Sequence, residues 1–279
     1  MSILTSKVTR YFTNGRFGQL HYRMAGESTA KPAVVCLHMV PKSSRSYHKI
    51  LPLLGKDRLA IAIDYPGYGE SDPTDSESQA NIDCYAEAVW DVLEALELKS
   101  VDLVGYHTGC MVSVRAAHLF PKRVNKVINI AAPVFLQSEV QSFCDLYAPI
   151  PLDEQGSRFR TMWERIIHHR GPGMTLEMCA DSMAENLRGG EGYEWGHMAA
   201  FNHAAQYISD IKTLPHPFLV MNLDDDMREQ SERVDPLLNN GLRKNYFQWS
   251  TGFLDAFTHD VAEEILTFLN AQSSNNIKE

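Results

Sequence analysis

The sequence predicts an α/β protein in which a mostly parallel central sheet is flanked by helices and carries a helical insertion. Three observations predict it. Short apolar runs of strand length recur between helix-forming stretches, the pattern of a parallel sheet buried on both faces. The third of these runs leads into Gly105-Tyr106-His107-Thr108-Gly109 and then a helix. Between Pro133 and Pro217 the alternation stops, and it resumes afterwards.

Taken in order, Arg10 to Asn14 and Gln19 to Ala25 read as a hairpin turned through Gly15 and Gly18. Ala33 to His38 is a buried strand that breaks into His38-Met39-Val40-Pro41. Leu59 to Asp64 is the next strand, and it breaks into Tyr65-Pro66-Gly67-Tyr68-Gly69. Asn81 caps a helix running to Leu98, with Ala88, Val89, Val92, Leu93 and Leu96 on one face. Val101 to Val104 is a third buried strand, and Gly109 to Phe120 a helix that stops before Pro121. Val127 to Ala131, Phe218 to Met221 and Asn245 to Trp249 supply further strands, and Val261 to Leu269 a closing helix. The intervening segment has helical runs at Phe159 to His169, Leu176 to Leu187 and Trp195 to Ile208. The predicted organisation is a core of residues 1–133 and 217–279 with a helical cap, or lid, over residues 134–216.

The chain has 279 residues, 44% of them hydrophobic, enough for one large core. The net charge of −9 is spread along the chain and argues against a nucleic-acid surface. No stretch approaches the roughly 18 apolar residues of a membrane span. Met1 to Arg10 lacks a signal-like apolar run, and the five cysteines are odd in number without a CxxC pair. A reduced, cytoplasmic protein is the expectation. The expected partner is a small organic molecule, with neither nucleic acid nor membrane; a homodimer fits the same composition.

The chemistry concentrates at Gly105-Tyr-His107-Thr-Gly109. Two glycines let strand and helix approach closely around a strained central residue, whose side chain is thrust out above the sheet. That residue takes positive φ, which histidine tolerates better than branched residues do. The Thr108 amide, at the helix start, can bind an oxyanion.

With these residues the chain resembles the α/β-hydrolase superfamily, in particular the branch of epoxide hydrolases, haloalkane dehalogenases and C–C-bond hydrolases that carries His-Gly-x-Pro after a strand. Here that element is His38-Met39-Val40-Pro41. The elements Asp64-Tyr-Pro-Gly-Tyr-Gly-Glu-Ser-Asp72, the elbow at His107, the acid loop Asp224-Asp225-Asp226 and the late His259 follow in the superfamily's order. The resemblance implies a catalytic set of His107, His259 and Asp226, with Asp224 as the second choice of acid. It also implies oxyanion donors at Val40 and Thr108. His107 stands where relatives carry Ser, Asp or Cys, so the usual serine relay cannot run unchanged. Met39 replaces the glycine beside His38. Cys110, next to the elbow, fits a packing role.

A neutral imidazole can attack an acyl carbon, and its pKa of about 6.5 also suits a general base. The expected function is therefore a cofactor-independent hydrolysis of an ester, lactone or C–C bond in a small, partly apolar substrate. The alternatives are a lyase, decarboxylase or cofactor-free oxygenase using His107 or His259 as base, and a non-catalytic ligand receptor. A metal held by His107, His259 and Asp226 lacks any HxH or HExxH spacing, so no metal and no cofactor are expected. The expected pocket is lined by His38, Met39, Trp195, His197, Phe201 and His203, although His38 also reads as a brace for its own loop.

Overall fold

The structure is a computed structural model and describes residues 7–272. Eight strands form one sheet: β1 (Thr9–Gly15), β2 (Gly18–Ala25), β3 (Ala33–Leu37), β4 (Ala60–Ile63), β5 (Val101–Tyr106), β6 (Val124–Ile130), β7 (Phe218–Leu223) and β8 (Gly241–Tyr246). Their order is β1-β2-β4-β3-β5-β6-β7-β8. The β1–β2 hairpin is antiparallel, β2 pairs antiparallel with β4, and every later pairing is parallel. β3, β4, β5 and β7 are buried at every position, and apart from Asp102 of β5 and Asn222 of β7 they read as apolar runs. β8 lies at the edge, its residues mostly exposed. It begins four residues before the expected Asn245, because an edge strand is defined by its pairing to β7 and needs no apolar run.

The helices are α1 (Leu51–Leu54), α2 (Ile82–Ala95), α3 (Thr108–Leu119), α4 (Gln137–Leu146), α5 (Ser157–His168), α6 (Leu176–Arg188), α7 (Gly192–Asn202), α8 (Ala204–Thr213), α9 (Arg228–Glu232), α10 (Phe253–Ala256) and α11 (Thr258–Asn270). Asn81 accepts from the Cys84 amide at 2.9 Å and starts α2, whose Ala88, Val89, Val92 and Leu93 are buried. No helix among the described residues is long and apolar enough to cross a membrane.

Five helices, α4 to α8, occupy the chain between β6 and β7. The sequence shows three runs there. α4 has no fully buried residue, and its short stripe of Val140, Phe143 and Cys144 packs only partly against the core. The run from Trp195 to Ile208 divides at His203 into α7 and α8. α8 returns to the core: Tyr207 is fully buried, and its hydroxyl donates to Asn129 Oδ1 of β6 at 2.8 Å. α7 instead lies over the sheet ends. A Cβ on Gly196 would stand 2.1 Å from the Tyr68 hydroxyl and 2.9 Å from Val40 Cβ.

The closest approach is where α3 leaves β5. A Cβ on Gly105 would stand 2.1 Å from the Gly109 carbonyl oxygen, and one on Gly109 would stand 2.1 Å from that of Leu37. Both obstacles are backbone and cannot swing away. Gly105→Ala and Gly109→Ala should each lower unfolding stability by about 1–3 kcal/mol or more, read as a shift of the urea midpoint at unchanged slope. A wild-type midpoint in either variant contradicts the close packing.

Candidate active site

The turn between β5 and α3 holds His107 at φ 49°, ψ −115°. This sparsely populated conformation costs of order 1–3 kcal/mol. It is fixed by the His107 amide donating to the Ile130 carbonyl at 3.0 Å and by the Cys110 amide donating to the His107 carbonyl at 2.8 Å. Cys110 packs as a buried thiol against the Gly105 and Ile130 carbonyls, and burial pushes its pKa well up, so it is no nucleophile.

The loop after β7 brings its acids to His107. Nε2 of His107 lies 2.9 Å from Asp225 Oδ2 and 3.8 Å from Asp226 Oδ1. The Asp225 side chain is fully buried, and its Oδ1 also accepts from the Met227 amide at 3.0 Å. Asp226 is partly exposed, while Asp224 points outward and pairs with Arg228 at 2.7 Å. The acid nearest the histidine is thus Asp225, rather than the Asp226 or Asp224 that loop alignment suggested. Burial disfavours the His107 imidazolium, but the charge and hydrogen bond of Asp225, with Asp226 behind, outweigh it. The His107 pKa is held above the ordinary histidine value.

His259 is not at this site. It is exposed in the first turn of α11, on a groove with Leu53, Lys56 and Glu263. The segment after β8 that faces His107 is already used up by α10. There Phe253 is buried with its ring 5.2 Å from that of Tyr106, and by residue 259 the chain has left the site. Tyr106 in turn stacks at 4.4 Å on His107. Its hydroxyl is buried with no partner among the described residues. Its pKa is driven well up by burial and then by Asp225 and Asp226.

The remaining expected residues divide. Val40 is buried against α7, and Thr108 opens α3, where a first-turn amide has no intrahelical acceptor. Met39 is half-buried and lines a cavity beside Tyr106. His38 is fully buried, with Nδ1 at 2.8 Å from the Met39 carbonyl and Nε2 accepting from the Tyr65 amide at 3.2 Å. Burial takes its pKa down to about 4, so it is a neutral brace with both nitrogens occupied, not a pocket contact. His197 stacks on Tyr147 at 4.1 Å and donates Nδ1–H to the Tyr193 carbonyl at 2.5 Å. Burial lowers its pKa to about 4, and the charges of Arg165, Lys42 and His107 push the same way. Phe201 is buried among Phe135, Phe143 and Tyr147. Trp195 and His203 face another groove, toward Asn81 and Asp83 of the α2 start.

Sequence reasoning passed over Asp225, Tyr106, Phe253 and Lys42. Lys42 follows the Met39-Val40-Pro41 loop and donates from Nζ to the Ser182 carbonyl at 2.8 Å, to Ser182 Oγ at 2.6 Å and to Asn186 Oδ1. Burial takes its pKa down to about 7. The metal set that included His259 is not assembled. His107, Asp225 and Asp226 do bring one donor atom each within 4.8 Å of one another. The His107–Asp225 hydrogen bond accounts for that cluster without an ion.

A family model described as alpha/beta hydrolase fold matches residues 32–148, which include the His38 loop and the elbow. A serine hydrolase-like protein of Danio rerio is 32% identical over 124 residues, covering 44% of this chain and 38% of that one. Epoxide hydrolase 4 of Mus musculus is 30% identical over 115 residues, covering 41% and 32%. The chain thus spans only about a third of the length of either relative. The crystal structure of an enol-lactonase from Burkholderia xenovorans LB400 superposes with a TM-score of 0.75 over 94% of this chain and 100% of that one, at 13% identity. With this sheet order, the strained turn after β5 and the acids after β7, the chain has the α/β-hydrolase fold, and residues 32–148 match the model of that family.

Proposed function

We propose that the protein is a cofactor-independent hydrolase of a small, partly apolar ester or lactone, in which the His107–Asp225 dyad does the proton work. The observation that carries this reading is the 2.9 Å bond from His107 Nε2 to Asp225 at the apex of the elbow. With Nε2–H donating to the carboxylate, the free nitrogen of the neutral ring is Nδ1, which bears the lone pair. Nδ1 takes a proton from water as the water oxygen attacks the acyl carbon. The developing oxyanion is held by the Thr108 and Val40 amides. The proton then passes from Nδ1 to the leaving oxygen, so alcohol and acid are released with His107 neutral again. Direct attack by Nδ1 would leave an acyl-imidazole, and no second base of suitable pKa stands beside His107 among the described residues to help hydrolyse it. We read residues 134–216, through α4 to α7, as the cap over this chemistry. The similarity to hydrolases in sequence and fold supports the reaction class.

Steady-state kinetics on activated aryl esters and lactones test the dyad. Asp225→Asn should lower kcat/KM by about 10²–10⁴, the worth of a well-placed general base, and His107→Ala by at least as much. Asp226→Asn should cost under about tenfold, and His259→Ala nothing. Equal losses in Asp225→Asn and Asp226→Asn, or a large loss in His259→Ala, defeat the assignment. Solvent deuterium entering a substrate C–H bond with wild-type protein, and not with His107→Ala, would point instead to proton abstraction from carbon.

The pH profile follows from the same pair. The base must be neutral, so the rate rises with pH through a pKa above the ordinary histidine value; Asp225→Asn moves that limb to lower pH. In stability the sign is reversed. Because the folded pKa is raised, the ion pair's contribution is fully present below the unfolded histidine pKa and is lost as pH rises through the folded one. NMR titration of the His107 ring reads the pKa itself, and a value below the ordinary one overturns the electrostatic account.

The elbow has no hydroxyl at its apex. A serine-directed fluorophosphonate should therefore leave the intact mass unchanged, whereas stoichiometric labelling at Thr108 or Ser113 would contradict the site.

A further inference from the structure

A cavity of about 460 Å³ opens beside the reaction site, with Tyr106, Phe253 and Met39 as the walls it shares with the surroundings of His107. That is the size of a pocket for a small organic molecule. Met174 and Met178 add apolar wall from the helical segment. The remaining lining is charged, and its charges do not cancel. Arg45 faces Asp181 at 3.7 Å and Lys49 faces Asp255 at 2.9 Å, so these four balance in pairs. That leaves Arg23, Lys42 and Glu185, two cations against one carboxylate.

Arg23, on β2, is half-buried and makes no ion pair within 4.0 Å among the described residues, while Asp64 and Glu185 lie near enough to favour its charged form. Its only side-chain hydrogen bond there runs from Nε to Ser44 Oγ at 3.2 Å, so the outer fork of the guanidinium is open. Lys42 uses its N–H groups on Ser182 and Asn186; burial takes its pKa down to about 7, and an anion entering the cavity favours its charged form, so it contributes charge rather than a donor. Glu185 is engaged by the Ser43 hydroxyl. His48, on the same wall, reports the resulting field: its pKa is lowered by burial and then by the charges of Arg23 and Arg45. A planar, doubly donating fork in a partly desolvated wall is a receptor for a carboxylate.

We propose that this cavity binds the carboxylate of a small organic acid on the open fork of Arg23, with Lys42 as second cation and the apolar body lying along Met39, Tyr106 and Phe253 toward His107. The substrate class that follows is an ester or lactone bearing a second, free carboxylate. The direction in which the body points rests on the hydrolase reading of His107; the binding of the acid does not.

Calorimetric titration of the intact protein with phenylbutanoate and with its neutral isostere phenylbutanamide tests it. The wild type should bind the acid at least about tenfold more tightly than the amide. In Arg23→Gln the acid should fall to the level of the amide, whose own affinity stays where it was. Arg23→Lys, which keeps the charge and loses the fork, should fall between. If Arg23→Gln fails to fold by circular dichroism, Lys42→Met carries the test, and the acid-to-amide ratio must drop there too. An undiminished ratio in a folded Arg23→Gln overturns the proposal, as does equal affinity for the two probes or no binding of either. His107→Ala should keep the preference for the acid. A wild type that prefers the acid yet turns over no ester or lactone would therefore sink the hydrolase reading and leave the acid site standing.

Discussion

Histidine at φ 49° is the constraint on which the rest of the structure turns. An L-residue enters that region only when its surroundings over-determine it. Here they do so by contact. Gly105 and Gly109 have no Cβ, so α3 can descend onto the ends of β3 and β5, and the Leu37 carbonyl lies where a Gly109 side chain would be. The Ile130 carbonyl takes the His107 amide and also meets the Cys110 thiol, which ties the turn to β6. Closeness of packing therefore aims the imidazole off the sheet end, and the sheet order brings β7, two strands over, to supply its carboxylate.

The parts of this arrangement that were legible in the sequence are those that burial dictates. β3, β4, β5 and β7 are covered on both faces and are apolar at all but Asp102 and Asn222, so they stand out. The elbow stands out because its glycines answer a steric demand that no other residue meets. Parts fixed by the path of an irregular loop were not legible. Three consecutive aspartates are chemically equal in the sequence; only the turn after β7 buries the side chain of Asp225 and leaves Asp224 to Arg228. The position of His259 was judged by chain order, and the short helix α10 defeats that judgement by turning the chain outward before it arrives. Trp195 and His197 are neighbours on one helix, yet helical geometry sends them to different grooves. His197 goes toward Tyr147, and Trp195 toward the start of α2.

Charges of both signs lie around the elbow. The loop after β7 supplies the anions, with Asp225 and Asp226 against one edge of His107. Lys42, fastened to α6, and Arg165 of α5 are near enough to depress His197. Burial, helped by those cations, keeps His197 neutral, while Asp225 and Asp226 bias His107 toward its charged form, so two nearby histidines differ in protonation.

In this light the placement of histidine at the apex simplifies the site. A serine at the elbow needs a separate base, and that base needs an acid, so three loops must arrive in register. His107 touches its acid directly, and two loops suffice. The loop after β8 presents Phe253, packed on Tyr106. That ring helps close the cavity wall where a third polar group would otherwise need a partner. The Tyr106 hydroxyl beneath it is buried and unbonded among the described residues. An unmet donor costs about 1–3 kcal/mol in a filled core. Burial and the charges of Asp225 and Asp226 both disfavour the phenolate, so the hydroxyl stays a donor beside His107.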